Sequence, residues 1–204
     1  MGTSCAPHVA NIFLHVYEYE FIDGLVISEN MDIAWKLNNM FRYQDDLIVF
    51  EDKLADGSHA FSVNIPYIYP REMELKSTNL SVNTCTYLDL RISIYQGKYN
   101  FKSYDKRNDF AFEVINYPYK NSNIPVKPAY GVFTSQLVRQ CRINKNAVYF
   151  KKEVVNLSKK FVNQGFDGNV LKEKYLSFCR NYISEWARFG SDISAYVFYK
   201  NMFD

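Results

Sequence analysis

The chain has 204 residues, 48% of them hydrophobic, so it is long enough and apolar enough to bury a core in one or two domains. Its net charge of +2 is unevenly spread: residues 1–119 carry 10 Lys and Arg against 16 Asp and Glu, and residues 120–204 carry 14 against 6. The composition excludes a disordered polymer, and no apolar run approaches the roughly 18 residues that cross a membrane.

The charge distribution has two interpretations. An acidic half that binds a metal ion and a basic half that follows a phosphate backbone would suit one protein. The alternative is an ordinary solvated helical surface with an excess of lysine.

The four cysteines lie far apart, at Cys5, Cys85, Cys141 and Cys179. None of them forms the C-x-x-C spacing of a zinc site. No secretory signal is evident, so we expect reduced thiols in an intracellular protein, either nuclear or cytoplasmic.

The first predicted helix starts at Pro7, a residue suited to a first turn. Apolar residues then recur at helical spacing from Val9 to Phe21, and the helix should end near Gly24 or continue to Ile27. Residues 28–38 predict a linker that contains a short amphipathic segment.

Residues 39–51 predict a β-hairpin, because two apolar, strand-forming runs flank a polar Gln44-Asp45-Asp46 segment. Adjacent carboxylates repel each other, and a divalent cation with a preference for oxygen ligands, such as Mg²⁺ or Mn²⁺, would neutralise them. A solvated turn is the simpler explanation of an Asp-Asp pair by itself.

Beyond a loop at residues 51–58 and an ambiguous segment at 59–69, the pattern predicts three further strands. They cover residues 73–76, 84–94 and 99–104, and Gln96-Gly97 should join the last two as a hairpin. Residues 1–119 are therefore expected to form an α+β domain with an antiparallel sheet.

Residues 105–128 contain three prolines and predict an extended connector. Helical patterns follow near residues 130–142, 145–163, 168–188 and 191–202. Residues 120–204 are thus predicted to be a separate, all-helical subdomain that begins where the charge changes sign.

Four stretches occur in the order and spacing of motifs B to E of reverse transcriptases. Residues 2–14 resemble the glycine turn and helix of motif B, and residues 43–46 match the Y-x-D-D box of motif C. Residues 75–76 resemble the part of motif D that carries its lysine, and residues 87–92 resemble motif E, the primer grip. Residues 104–110 and 128–132 resemble segments found in mobile-element enzymes, of the Penelope-like or a neighbouring lineage.

The resemblance implies a partial polymerase palm followed by a thumb-like helical subdomain, in an RNA-directed DNA polymerase that joins nucleotides by two-metal catalysis. It implies Mg²⁺ or Mn²⁺ as cofactor, and an RNA template, a DNA primer and dNTPs as partners, with no membrane. Asp45 and Asp46 would bind metal, and Lys76 would protonate or stabilise pyrophosphate. Template and primer would contact Gly2, Ala6, Pro7, Asn11, Tyr43, Gln44, Tyr87, Leu88, Lys151, Lys152, Lys159 and Lys160.

Each of these roles has a plainer alternative. Lys76 could be a surface lysine, the Tyr87-Leu88 turn could be hairpin structure alone, and the lysine pairs could be a solvated helix face. The sequence also departs from the family pattern at Gln44 and at residues 5–7, where many relatives have Ser-Pro.

The family carries another metal-binding Asp on motif A, upstream of the glycine turn. Met1 resembles the Met of a Pro-Met-Gly form of that turn, so we expect an N-terminally truncated chain that lacks motif A and the fingers. Such a chain should not polymerise DNA alone. The alternative function is a non-catalytic remnant that binds nucleic acid through its basic half.

Overall fold

The computed structural model describes residues 4–50, 64, 67–81, 83–112, 114–115 and 117–189. In this part of the chain the fold is mixed α+β with antiparallel sheets, which confirms the predicted class. The chain divides into two compact units, Met1–Thr78 and Asn79–Asp204. This division lies upstream of the change in charge at residue 120, from which the sequence predicts its domain boundary.

Unit 1 contains two helices and a hairpin: α1 (Ala6–Ile27), α2 (Met31–Leu37), β1 (Met40–Tyr43) and β2 (Asp46–Val49). Helix α1 takes the longer of the two predicted ends, and the Ser28 hydroxyl donates to the Gly24 carbonyl there, at 2.8 Å. Helix α2 forms at the predicted amphipathic segment.

The apolar stripe of α1 is buried only in part: its later residues Tyr17 and Phe21 pack against the core of unit 1, whereas its earlier ones do not. Leu14 and Glu18 are the buried residues of the helix. Leu14 joins a small core with Leu37, Ile68 and Tyr69. The apolar residues at the start of the predicted pattern are exposed: Val9, Ile12, Phe13 and Val16.

Unit 2 begins with a three-stranded antiparallel sheet of β3 (Thr84–Tyr87), β4 (Leu90–Tyr95) and β5 (Lys98–Ser103). The predicted hairpin between the last two is confirmed. Both Gln96 and Gly97 have positive φ, at 49° and 69°, as a type I′ turn requires.

Two predicted strands are wrong. The strand expected over residues 84–94 is interrupted at Leu88 and Asp89, which form a turn between β3 and β4. Leu88 adopts a φ of 52°, in the left-handed region that residues other than glycine seldom occupy, so the sequence does not predict a turn here. Residues 73–76 have no strand partner, and this segment is irregular.

The connector holds a short 3-10 helix (Lys106–Asp109) and is otherwise irregular. Helices α3 (Val126–Ile143), α4 (Ala147–Asn163) and α5 (Gly168–Asn181) then follow near their predicted positions.

Helix α3 begins at Val126 rather than after Pro128. A proline is tolerated in the first helical turn because the N–H that it lacks would have no partner within the helix. The predicted third helix is broken at Tyr182, and a short helix α6 (Ile183–Trp186) follows. The helix predicted at 191–202 lies outside the described residues.

The core of unit 2 is built from aromatic rings. Phe161 contacts Phe133, Phe166 and Tyr117, with ring centroids 4.8–5.4 Å apart. These rings pack with aliphatic residues of α3, α4 and α5 into one buried cluster. Much of the aromatic content therefore serves packing.

Asn144 ties the sheet to the helices. Its side chain is fully buried, accepts a hydrogen bond from the Ser103 backbone N–H at 3.1 Å and donates to the Gln140 carbonyl at 2.9 Å. The next residue, Lys145, donates its backbone N–H to the Phe101 carbonyl. The sheet and the helices therefore form one compact unit although the charge changes sign between them.

We predict that Phe161→Ala lowers the free energy of unfolding by about 3–5 kcal/mol, because it leaves a cavity in a fully packed core. Val162→Ala, on the exposed side of the same helix, should change it by no more than about 0.5 kcal/mol. Urea unfolding followed by circular dichroism measures both. Equal effects of the two substitutions would contradict the described core.

Candidate functional site

The β1–β2 hairpin presents the two predicted metal ligands at its tip. Tyr43 pairs with Asp46, so Gln44 and Asp45 form a two-residue turn. Gln44 has a φ of 56°, and such turns favour a positive φ at their first central residue. Asp45 therefore lies in the turn, and Asp46 begins the second strand. Both are exposed.

The two faces of the hairpin differ in chemistry. Arg42 and Leu47 are paired and half-buried, and Leu47 packs against the core of unit 1. Tyr43 and Asp46 are also paired but exposed, and strand alternation places them on the opposite face. The side chain of Asp46 is therefore accessible to a ligand from solvent.

Arg42 connects this hairpin to α1. Its Nε donates to Glu18 Oε1 at 2.6 Å, and its two terminal nitrogens donate to the Asn11 side-chain and backbone oxygens at 2.7 and 3.1 Å. One of these nitrogens also lies 3.3 Å from the Gln44 carbonyl oxygen, within the turn. A single guanidinium therefore links the helix to the segment that carries the carboxylates.

Tyr69 completes this polar cluster. Its hydroxyl donates to Glu18 Oε1 at 2.7 Å. Burial, together with the neighbouring Glu18 carboxylate, raises the pKa of Tyr69 well above its usual range. The phenol therefore stays protonated and supplies a second donor to the carboxylate of Glu18, a buried residue.

Sequence reasoning missed Glu18 and Arg42. A signal for them exists, because Asn11, Leu14 and Glu18 share one helical face and Arg42 directly precedes the Y-x-D-D box. The pairing itself joins residues 24 positions apart, which the helix pattern alone does not indicate.

The other predicted residues of unit 1 are less closely connected to the turn. Ala6 and Pro7 are exposed in the first turn of α1, whereas the Asn11 side chain is engaged by Arg42. Lys76 lies in the irregular segment, with Nζ 3.3 Å from Glu74 Oε2 and both side chains largely exposed. Gly2 lies outside the described residues.

The carboxylate pair is not joined by a third acid within the part of the chain that the structure describes. No group of three or more His, Cys, Asp or Glu side chains there could hold a metal ion. Asp45 and Asp46 are of the right chemical type for Mg²⁺, but they supply only part of an octahedral set of oxygen ligands.

Unit 2 contains a polar cleft of about 680 Å³. It is bordered by the Leu88–Asp89 turn, the segment 103–108, and faces of α3 and α4. Its lining carries five basic side chains and three carboxylates. The basic ones are Lys106, Arg107, Arg139, Lys159 and Lys160, and the acidic ones are Asp89, Asp105 and Glu153.

Ion pairs hold several of these groups in place. Arg139 contacts Asp89, and Asp105 lies 2.8 Å from Arg107 and 3.7 Å from Lys160. Partial burial acts to raise the pKa of Asp105, but the hydrogen bonds from Arg107 and the charge of Lys160 outweigh it and lower that pKa below its usual value.

Glu153 differs from the other cleft carboxylates. Its burial raises the pKa of its carboxyl group, although Lys152 and Lys160 oppose this shift. The cleft as a whole carries more basic than acidic side chains.

The cleft brings together some of the predicted nucleic-acid contacts and separates others. Leu88, Lys159 and Lys160 line it, whereas Lys151 and Lys152 lie on the same helix α4 but are not part of its lining. Tyr87 precedes the turn, at the end of β3 and paired with Leu90.

No protein-family model, curated protein or solved structure matches this chain. Among the described residues, no helix is both long enough and apolar enough to cross a lipid bilayer.

We predict that Asp105→Asn lowers the free energy of unfolding at pH 7 by up to about 1 kcal/mol, since the ion pairs are partly exposed. The lowered pKa of Asp105 means that the folded state binds this proton less tightly than the unfolded state does. The stabilisation by Asp105 is therefore present above the ordinary pKa of 3.8 and is lost as the pH falls below that value.

Urea unfolding of both proteins from pH 7 to pH 3 measures the difference, which should shrink at the acidic end. Glu173→Gln, at an exposed position on α5, controls for the loss of one carboxylate. A difference that stays constant over the whole range would contradict the assignment.

Proposed function

We propose that this chain is part of a reverse transcriptase: a palm segment from the glycine turn through the primer grip, followed by a thumb-like helical subdomain. In the complete enzyme it would serve template-directed DNA synthesis. One observation carries the proposal: the Y-Q-D-D segment forms a hairpin that exposes Asp45 and Asp46 at its tip and is braced from behind by the preceding helix, α1.

The donor chemistry supports a magnesium or manganese site at the hairpin. Asp45 and Asp46 would contribute carboxylate oxygens, which both ions prefer. When bound, such ions favour ionisation of a primer 3′-hydroxyl and stabilise the pyrophosphate leaving group. The chain's own contribution is to hold two carboxylates at one turn, and the complete site needs at least one further acidic ligand.

The cleft of unit 2 supports the nucleic-acid part of the proposal. In it, Lys159 and Lys160 would contact backbone phosphates, while Tyr87 and the following turn at Leu88 would lie against the primer. Phosphate contacts of this kind position a nucleic acid without reading its sequence. The proton-transfer role of Lys76 also remains part of the proposal, and its exposed side chain is open to solvent and ligand.

We predict that Asp45→Asn/Asp46→Asn weakens Mn²⁺ binding at least tenfold, because it removes both charged ligands from the turn. Electron paramagnetic resonance of free Mn²⁺ measures the affinity. Glu72→Gln/Glu74→Gln removes two exposed carboxylates from the same unit and should leave binding nearly unchanged. Equal losses in both variants would mean that Mn²⁺ binds through general negative charge only.

The polymerase itself is tested by primer extension on an RNA template. Residues 1–204 alone should show no extension, because the described part of the chain brings no third acid to the pair. Joined to an upstream segment that supplies a strand with an Asp and a basic fingers region, the chain should extend the primer, and Asp45→Ala should abolish that activity. Extension by residues 1–204 alone would contradict the need for a ligand from outside this chain.

A second candidate is a non-catalytic nucleic-acid-binding protein. The observation that favours it is that the basic cleft lies wholly within unit 2 and does not depend on the hairpin carboxylates. Binding by such a protein should survive Asp45→Ala and should weaken as salt is added.

We predict that Lys159→Gln/Lys160→Gln weakens binding of a short RNA–DNA hybrid and reduces the slope of log K against log salt by about 1–2, since two phosphate contacts are lost. The control is Lys151→Gln/Lys152→Gln, which removes the same charge from the same helix outside the cleft. Fluorescence anisotropy measures both. Equal losses would assign binding to the net charge of the helix rather than to the cleft.

A further inference from the structure

Arg42 precedes Asp45 and Asp46 closely in the sequence, but its ion pair is with Glu18 of α1. The hydrogen bonds of its guanidinium lead to α1, at Asn11 and Glu18, and to the backbone of the turn at Gln44. Its charge is balanced by Glu18 at the back of the hairpin, and the Arg42 and Glu18 side chains are only 10% and 11% exposed. The positive charge of Arg42 is therefore paired with Glu18 of α1.

The bond to Gln44 has a direct geometric consequence. The Gln44 carbonyl belongs to the peptide unit that joins Gln44 to Asp45. A donor fixed on this oxygen restrains the orientation of that peptide plane, and with it ψ of Gln44 and φ of Asp45. These dihedral angles set where the Asp45 side chain leaves the turn relative to Asp46.

We propose that Arg42 is a positioning residue, which, clamped by Glu18 and Asn11, holds the Gln44–Asp45 peptide and so sets the separation of the two carboxylates. This inference rests on the proposed metal-binding function of the hairpin. Gln44 has a positive φ, a conformation that costs a non-glycine residue about 1 kcal/mol or more and that persists where neighbouring contacts impose it. Arg42 supplies such a contact.

Arginine suits this task better than lysine. Its planar fork reaches three different acceptors at once, on Glu18, Asn11 and Gln44. A lysine ammonium in the same place could balance Glu18, but it would not keep the fixed geometry of the fork. Tyr69 adds to the clamp because its donation to Glu18 Oε1 restrains the carboxylate that holds Arg42.

The test compares Arg42→Met, Arg42→Lys and Asn11→Ala with the wild-type chain. Two quantities are measured: ¹⁵N order parameters of the Gln44 and Asp45 amides, and Mn²⁺ affinity. We expect lower order parameters in all three variants and Mn²⁺ binding about tenfold weaker in Arg42→Met, as is typical when a residue that orients metal ligands is lost. Compared with Arg42→Met, Arg42→Lys should recover the stability of the fold but not the order of the turn.

Two features keep the test decisive. Asn11→Ala retains the Arg42–Glu18 pair, so it reports on the clamp if Arg42→Met does not fold. Lys36→Met, which breaks the ion pair between half-buried Lys36 and exposed Asp32 on α2, should change neither quantity.

Folded variants with unchanged order in the turn would overturn the proposed role of Arg42. Wild-type protein that binds no Mn²⁺ would instead overturn the metal-binding function, while the order parameters would still decide the role of Arg42.

Discussion

The hairpin of unit 1 depends on one buried charge. Glu18 places a carboxylate inside a small core, where an unpaired charge would be strongly unfavourable. Arg42 and Tyr69 satisfy it, and in doing so they join α1, the hairpin and the segment around residue 69. Removing one member of such a buried pair typically costs about 3–5 kcal/mol. The polar cluster therefore determines how the exposed turn is held, although no residue of the cluster lies at the tip.

Unit 2 is held together by different means. Its core is a continuous set of aromatic and aliphatic side chains, and a buried amide, Asn144, joins it to the sheet. Because hydrophobic burial is non-directional, such a core tolerates the irregular connector between the sheet and the helices. The result is a packed core beside a cleft in which several of the charged side chains form ion pairs. Each unit thus offers one candidate surface, a carboxylate tip in the first and a basic cleft in the second.

Some of the candidate site follows from the sequence, and some does not. The Y-Q-D-D segment is a local pattern, so the hairpin and the exposure of Asp45 and Asp46 could be predicted. The partners of Arg42 could not, because Asn11 and Glu18 are 31 and 24 residues away. Of the lysines on α4, the sequence treats two pairs as equivalent, and only the packing of the helix decides that Lys159 and Lys160 reach the cleft.

The sequence by itself determined the α+β class, the positions of most helices, and two hairpins, because these depend on the spacing of apolar residues and on short-range turn chemistry. The tertiary structure alone decided that the first apolar residues of α1 are exposed, that Leu88 turns the chain, and that the sheet after residue 79 belongs with the helices. The reason is physical. Burial and backbone conformation at these positions are set by contacts between residues distant in the chain, and these contacts outweigh local preference.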